Sequence, residues 1–252
     1  MELYDVMRTT FACREFTGEP VPDEVLHRIV DNARFAPSGG NRQGWRIINV
    51  TETGIKQRLA DLSLPTASRY LLEVQAGENP LNTINPSSVT AEQVAGAEPP
   101  QWLVAHIRDA PTLLVITVDM SLVASMDKDL ERIGLVSGGS IYPLAWNILL
   151  AARNEGYGGT MTTWGVAAEP AVQALLGIPS HWAIAAIMPL GKPVKQLTRL
   201  KRKPVEQILF KDRRWLVLYP PQGASNRTVS LPNRMTVSPG TLGGAYPFVP
   251  MD

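Results

Sequence analysis

Apolar residues recur every three or four positions in several stretches of the chain, a spacing typical of amphipathic helices. The clearest such stretch follows Pro22, where Asp23 and Glu24 suit a first helical turn. Its apolar stripe consists of Val25, Leu26, Ile29, Val30 and Ala33. The same spacing predicts helices over residues 2–10, 55–63 and 169–177, the last ending at Gly177.

Continuous apolar runs predict three strands, over residues 45–50 (WRIINV), 112–119 (TLLVITVD) and 182–191 (WAIAAIMPLG). We expect the second and third to be buried. Residues 137–159 read as the longest helix, apolar on nearly all sides from Ile141 to Ala152, with Pro143 in its first turn. Helices that outnumber a few separated strands predict a mixed α/β or α+β domain.

Two regions show neither period. Residues 64–110 contain GENPLNTINPSSV and GAEPPQW, which are rich in Pro, Asn, Ser and Gly, and they predict an insertion or lid. Residues 215–252 form a Pro-rich C-terminal extension that is either disordered or an extended arm lying on another surface. We therefore expect a single domain over residues 1–214, with the lid inside it and the extension after it.

Composition narrows the class of protein. The 252 residues carry 24 Lys plus Arg against 23 Asp plus Glu, so there is no basic footprint for nucleic acid. The one cysteine, Cys13, excludes a disulfide within the chain and fits a reducing compartment. No run of about 18 apolar residues and no secretory leader pattern occurs, so we expect a soluble cytoplasmic protein without a membrane span.

The motifs of common catalytic classes are missing from the sequence. It has no G-x-G-x-x-G after a strand, no G-x-x-x-x-G-K-[ST] and no G-x-S-x-G. The three histidines, His27, His106 and His181, are far apart in sequence, so we interpret them as surface or satisfied residues and predict no metal site. Because no protein nucleophile is evident, the pattern favours chemistry carried by a bound cofactor.

Three stretches offer groups suited to a phosphate and a flat ring. RTTFACREF supplies Arg8 and Arg14, PSGGN supplies glycines that allow close backbone approach, and LKRKPVEQI supplies a basic cluster. Each also has a plain interpretation, respectively a solvated basic surface, a helix-ending turn and a charged loop. Taken singly, the residues leave both interpretations open.

In order along the chain, these stretches resemble the nitroreductase family of FMN-dependent flavoproteins. The resemblance covers roughly residues 3–60 and 111–213, through FACREFTGEPVPDEVLHRIVDNARFAPSGGNRQGWRIINV, NILLAARNEGYGGTMTTWGVAAEPAVQALLGIP, AIMPLGKP and LKRKPVEQILF. The pattern TMTTW, LLGIP, LGKP, LKRKP is similar to the iodotyrosine deiodinase-like branch. The resemblance implies an α+β, three-layer fold with a central, mostly antiparallel sheet flanked by helices, in an intertwined dimer.

The resemblance also implies the flavin contacts. Pro37, Ser38, Gly39 and Asn41 match the loop that runs along FMN, and Thr162, Thr163 and Trp164 match the segment that reaches its ring and ribityl chain. Arg14 and Arg202 match basic residues that bind the phosphate, and Arg8 is a candidate to assist them. At residues 10–12 the chain has Thr, Phe and Ala where the family pattern has Arg, Arg and Ser, which removes two cations and a hydroxyl.

The expected activity is that of an FMN-dependent oxidoreductase. Hydride would pass from NADH or NADPH through flavin N5 to a small organic acceptor such as a nitroaromatic, quinone, enone or halophenol. The lid, with Tyr70 and Trp102 as candidate substrate contacts, would select the acceptor. Family members are homodimers with FMN at the interface, each site lined by both chains. Two alternatives stay open: a flavin-handling or reductively dehalogenating relative, and a non-catalytic flavin-binding protein.

Overall fold

Four strands and seven α-helices form the framework of residues 1–212, the part of the chain that the computed structural model describes. The strands are β1 (Trp45–Val50), β2 (Thr112–Asp119), β3 (Gly158–Gly159) and β4 (Trp182–Gly191). The helices are α1 (Leu3–Thr9), α2 (Asp23–Ala33), α3 (Thr53–Gln75), α4 (Ala91–Gly96), α5 (Gln101–Arg108), α6 (Tyr142–Asn154) and α7 (Glu169–Leu176). The three predicted strands have the observed bounds.

The strands form one sheet in the order β1-β2-β4-β3, with every neighbouring pair antiparallel. Alternate residues of β2 face opposite sides and both sides are buried, because Leu114 and Ile116 join one apolar cluster while Leu113 and Val115 join the other. The first cluster includes α2 and α6, and the second includes α3, α5 and α7. The result is the predicted α+β, three-layer arrangement of helices on both faces of an antiparallel sheet.

The longest helix is α3, with 23 residues, and not the 137–159 segment, of which 13 residues form α6. The apolar pattern predicts a helix only over 55–63. In the structure the helix continues through Pro65, and Ala67, Ser68 and Glu73 beyond it are buried. Burial of the later turns outweighs the one backbone hydrogen bond that proline removes.

The segment predicted as a lid, 64–110, is largely helical. Its first part belongs to α3, and its last part includes α5, where Val104 and Ile107 are fully buried in the core. Residues 76–90 are the stretch between helices, and Thr90 closes it by capping α4 through its hydroxyl and Gln93. Whether the segment covers a bound flavin remains a prediction.

Contacts divide the chain into a unit of residues Met1–Thr198 and a second unit that begins at Arg199. In the second unit the described residues include a 3-10 turn at Val205–Gln207. The predicted boundary at 214 and the predicted extension, 215–252, lie outside the described residues. Among residues 1–212, none of the helices combines the length and apolar character that crossing a membrane requires.

Candidate functional site

The first candidate segment, residues 12–17, lies along the edge of the sheet. The Cys13 N–H donates to the Gly159 carbonyl at 3.0 Å, and Ala12 forms a parallel bridge with Gly159. Successive side chains of this extended segment alternate, so Cys13 is buried whereas Ala12 and Arg14 are both exposed. Within the described residues, the Arg14 guanidinium makes one hydrogen bond, to the Ala12 carbonyl at 3.4 Å. Most of its donors are therefore available to an anion.

The departure from the family pattern at residues 10–12 has a structural role. Thr10 is 5% exposed, and its hydroxyl donates to the Val6 carbonyl at 2.7 Å at the end of α1. Thr10 therefore does not replace the missing hydroxyl. Arg8 is exposed on α1, with its guanidinium 5.9 Å from the centre of the Tyr4 ring.

The second candidate segment, residues 37–41, is a loop in an uncommon backbone conformation. Gly40, Asn41 and Gln43 all have positive φ, at 62°, 52° and 49°. The Gln43 N–H donates to the Ser38 hydroxyl at 3.0 Å, and the Gly39 N–H donates to the Ser140 hydroxyl at 3.1 Å. Two non-glycine residues in the left-handed region are strained, and such strain clusters at ligand sites.

The same loop presents hydrogen-bond donors. Asn41 Oδ1 accepts from Gln43 Nε2 at 2.9 Å, and Ser38 Oγ accepts from the Gln43 backbone. Among the described residues this leaves the Asn41 amide nitrogen and the Ser38 hydroxyl hydrogen as unused donors. A flat heterocycle with ring nitrogens and carbonyl oxygens matches that donor set. Pro37 precedes the loop, as the sequence places it.

The third candidate segment, residues 162–164, follows β3 and lies beside β4. Thr162 and Ile187 exchange both backbone hydrogen bonds at 2.9 Å, and Thr163 follows immediately before a 3-10 turn that begins at Trp164. The Trp164 ring lies 5.8 Å from that of Tyr70 on α3, measured between centres. The structure therefore joins the predicted substrate contact Tyr70 to a predicted flavin contact.

The loop and the 162–164 segment lie apart within one protomer. Trp45, which begins β1 four residues after the loop, pairs with Val118, which pairs with Ala183, whereas Thr162 pairs with Ile187. Three strand spacings across the sheet and four residues along it correspond to roughly 20 Å between Trp45 and Thr162. The two groups also contact opposite faces of the sheet, because Ala36 belongs to the α2–α6 cluster and Trp164 to the α3–α5 cluster.

Comparisons with known proteins agree with this fold. A nitroreductase family model matches residues 7–192. The chain belongs to the nitroreductase family. Human iodotyrosine deiodinase 1 is 27% identical over 210 residues, covering 82% of this chain and 68% of the relative.

Solved structures support the same fold for this family member. An iodotyrosine deiodinase bound to FMN and 3-iodo-L-tyrosine superimposes with a TM-score of 0.60 at 21% identity, covering 84% of this chain and 99% of that one. The NADPH:FMN oxidoreductase from Vibrio harveyi, complexed with NAD+, gives a TM-score of 0.59 at 21% identity, covering 84% and 77%.

His106, interpreted from sequence as a surface or satisfied residue, is buried beside Trp164. Its ring lies 6.0 Å from that of Trp164 in an edge-on arrangement, and its Nε2 is buried with no hydrogen-bond partner in the described part of the chain. Burial first, and then the nearby positive charge of Arg14, lowers the pKa of His106 to about 4. His106 lies three residues after Leu103, and this helical spacing in the sequence indicates a position on the apolar face of α5. His106 is therefore a neutral, buried member of the aromatic group.

Two predicted site residues remain, Trp102 and Arg202. Trp102, on α5, is 59% exposed. Arg202 lies in the unit that begins at Arg199, is exposed, and donates from Nη1 to the Lys201 carbonyl at 2.7 Å. Their roles in substrate and phosphate binding remain predictions.

An exposed apolar face adjoins the loop. It comprises large side chains that are at least 36% exposed between residues 120 and 146: Met120, Leu122, Met126, Leu130, Ile133, Leu135, Val136, Tyr142 and Trp146. A cavity of about 710 Å³ opens here between the 134–146 segment and the first residues of β4. Asp127 stabilises the 125–136 stretch. Its carboxylate accepts hydrogen bonds from the backbone N–H groups of Leu135 and Val136 and from the side chains of Ser125 and Arg132.

Proposed function

We propose that this protein is an FMN-dependent oxidoreductase that passes hydride from NADH or NADPH to a small organic acceptor such as a nitroaromatic, quinone, enone or halophenol. The strained loop carries the proposal, because Gly40, Asn41 and Gln43 hold left-handed backbone beside two unused donors. The single cysteine supports a reducing compartment, the cytoplasm, as its location.

The residues present fit FMN. Arg14 and Arg202 would bind the phosphate, with Arg8 as an additional candidate cation. Ser38, Gly39 and Asn41, following Pro37, would hydrogen-bond along the flavin, while Thr162, Thr163 and Trp164 would support its ring and ribityl chain. The donor set matches the heteroatoms of FMN at the loop, and the exposed Arg14 matches its phosphate.

The site is complete only with a second copy of the chain. Trp45, which follows the loop, lies roughly 20 Å from Thr162 by strand register, and Ala36 and Trp164 pack on opposite faces of the sheet, so we propose that the two groups line the flavin from different protomers. A homodimer would bring the loop of one protomer to the 162–164 segment of the other. The exposed apolar face next to the loop, of a kind that marks protein interfaces, would be buried by that contact.

When bound, FMN would supply the hydride-transfer chemistry that links the nicotinamide to the acceptor. The protein would contribute binding and orientation. Tyr70 and Trp164 would stack or pack against the acceptor, and the buried, neutral His106 would support Trp164 from behind. None of these contacts requires a protein nucleophile.

FMN titration of the purified protein tests the assignment. We expect saturable binding, seen as quenched FMN fluorescence, and NADH or NADPH oxidation that depends on an added acceptor. Arg14→Ala should weaken FMN binding about tenfold or more, because a charge-assisted contact is lost. Arg28→Ala is the matched control. Arg28 pairs with Glu155 at 3.0 Å, and neither residue belongs to a candidate segment. Absence of flavin binding after reconstitution would end the proposal.

Mixing two variants tests the shared site. Asn41→Ala and Thr163→Ala each damage one of the two groups, so each homodimer should bind FMN poorly. In dimers re-formed from an equal mixture, half are mixed and each has one intact site, which gives about a quarter of the wild-type FMN sites. A site contained within one protomer would give no recovery. Trp146→Glu should also produce monomers by light scattering, whereas Ile84→Glu, at an 87% exposed position, should leave dimers.

Reductive dehalogenation is the second candidate activity. It is favoured by the similarity to human iodotyrosine deiodinase 1 over 210 residues. Release of iodide from an iodophenol by the FMN-loaded, reduced protein would distinguish it from nitro or quinone reduction alone.

A further inference from the structure

Gln43 connects two of the predicted flavin contacts in the loop that precedes β1. Its backbone N–H donates to the Ser38 hydroxyl oxygen at 3.0 Å, and its side-chain Nε2 donates to Asn41 Oδ1 at 2.9 Å. The Asn41 N–H in turn donates to the Ser38 carbonyl at 2.8 Å. Three hydrogen bonds therefore tie Ser38, Asn41 and Gln43 together, although Gln43 is not itself a predicted contact.

These hydrogen bonds determine which groups the loop presents to a ligand. An amide side chain has an acceptor oxygen on one side and an NH2 donor on the other. Because Gln43 offers Asn41 a donor, Asn41 turns its oxygen toward Gln43 and its Nδ2 away from it. The Ser38 oxygen likewise accepts from Gln43, so the hydroxyl hydrogen points elsewhere. Asn41 is exposed and Ser38 is half-buried, so a ligand can reach both side chains.

The backbone at Gln43 has an uncommon conformation. Its φ is 49°, and glutamine, unlike asparagine, is not enriched in the left-handed region. The next residue, Gly44, is buried at the start of the sheet: its carbonyl accepts from the Asp119 N–H at 2.9 Å, and an added Cβ would lie 3.1 Å from Leu122 Cβ. Gln43 itself is exposed, so burial of its side chain does not explain the conformation. Backbone strain without a packing benefit is typical of residues that orient a ligand site.

We infer that Gln43 is a positioning residue that keeps the Ser38 and Asn41 side chains turned as donors, so that the loop binds a ring-nitrogen acceptor of the oxidised flavin. The inference rests on the proposed FMN site and deepens it. N1 and N5 of an oxidised flavin carry no hydrogen and can accept, whereas N3 carries a hydrogen and would face another donor. Because an unpaired donor at a binding site costs affinity, the loop selects the N1 or N5 edge and rejects the N3 edge.

Two flavin analogues test the donor role in the wild-type protein. In 1-deaza-FMN and 5-deaza-FMN, one ring nitrogen, N1 or N5 respectively, is replaced by a C–H group that cannot accept a hydrogen bond. Their affinities for the apoprotein are measured by competition with FMN. We expect at least one of the two to bind about fivefold or more weakly than FMN. Binding of all three within about twofold of one another would overturn the inference. Failure of FMN itself to bind is a separate result, which contradicts the proposed function.

Gln43→Glu tests the positioning role itself. The side-chain length is kept, but a carboxylate cannot donate to Asn41 Oδ1, so the Asn41 amide should turn over and present its oxygen to the ligand. We expect the FMN affinity to fall about tenfold, and the discrimination between FMN and the weaker analogue to drop below about twofold. A merely structural role would weaken FMN and the analogue equally. Their ratio would then stay unchanged, and that result would overturn the inference.

Arg42→Gln is the matched control for charge. It lowers the net charge by one at the adjacent position, as Gln43→Glu does, but the Arg42 side chain takes part in none of the three hydrogen bonds. Both positions are exposed, so both variants should fold. We expect Arg42→Gln to retain the ratio between FMN and the weaker analogue. Loss of the ratio in this variant as well would show that charge, and not hydrogen bonding by Gln43, sets the selectivity, and would overturn the inference.

Discussion

Removal of the Glu73 carboxylate should destabilise the protein more than removal of its partner Arg69. Glu73 is 2% exposed and accepts from both Arg69 and the Leu81 N–H, whereas the Arg69 side chain is 36% exposed. In Glu73→Ala the Leu81 N–H loses its acceptor, which costs about 1–3 kcal/mol. The partly solvated ion pair adds only ~0.5–1 kcal/mol. We therefore expect a loss of about 2–3 kcal/mol, against ~0.5–1 kcal/mol for Arg69→Ala.

Thermal unfolding of the cofactor-free protein, followed by circular dichroism, measures both variants. For a domain of this size, a loss of 2–3 kcal/mol lowers Tm by about 4–12 °C. Hydrogen exchange should rise first in residues 76–90, because Leu81 is anchored there. In the double variant the two losses should fall short of additivity by no more than ~1 kcal/mol. A Glu73→Ala protein within about 0.5 kcal/mol of wild type would refute the assigned role of the carboxylate.

Three further predictions concern single residues. Gly159→Ala should lower the free energy of unfolding in urea by about 1–3 kcal/mol, because the added Cβ would lie 2.5 Å from the Pro189 carbonyl oxygen. The control Gly54→Ala adds a Cβ in open space and should change the free energy of unfolding by less than ~1 kcal/mol. Cys13 should resist alkylation at pH 8 until the protein unfolds, because burial raises the pKa of its thiol to about 11; rapid labelling of the folded protein would contradict this. Hydrogen bonds from the backbone and from Arg132 hold the pKa of Asp127 far below its usual range. Its contribution to stability is therefore present at neutral pH and is lost as the carboxylate is protonated in acid. In Asp127→Asn, the free energy of unfolding should fall less steeply as the pH is lowered.

Three of the four strands could be predicted from sequence because apolar runs with clear ends mark them, whereas β3, Gly158–Gly159, has no such run and was assigned to the end of the predicted 137–159 helix. β2 begins after Pro111 and consists of β-branched or leucine residues up to Asp119, so pattern and structure agree. The helix α3 could not, since Pro65 signals an end locally and only the tertiary burial of Ala67 and Glu73 carries the helix past it. A buried glutamate has no signature in a hydrophobic pattern.

The candidate site was predictable as separate stretches and not as an arrangement. The family resemblance supplied Ser38, Asn41 and Thr162, but no spacing along the chain reveals that β1 and β4 place them on different parts of the sheet. That information resides in strand order and register, which are long-range pairings. His106 was missed for the opposite reason, because its signal, a helical position on an apolar face, is also the signal of an ordinary core residue.

The Thr, Phe and Ala at residues 10–12, in place of the family's Arg, Arg and Ser, change how this chain could bind a phosphate. Ala12 and Arg14 are exposed on the same side of the extended 12–17 segment. A phosphate beside the Arg14 guanidinium would therefore lie on the side where the family pattern has a serine hydroxyl and this chain has Ala12. Thr10 is buried and satisfied by Val6, so it cannot compensate. Phosphate recognition by this segment must therefore depend on charge more than on directed hydroxyl donors. Charge attraction at an exposed guanidinium is screened by salt, whereas hydrogen bonds in the 37–41 loop are not, so in the proposed site the loop would supply most of the selectivity for a flavin.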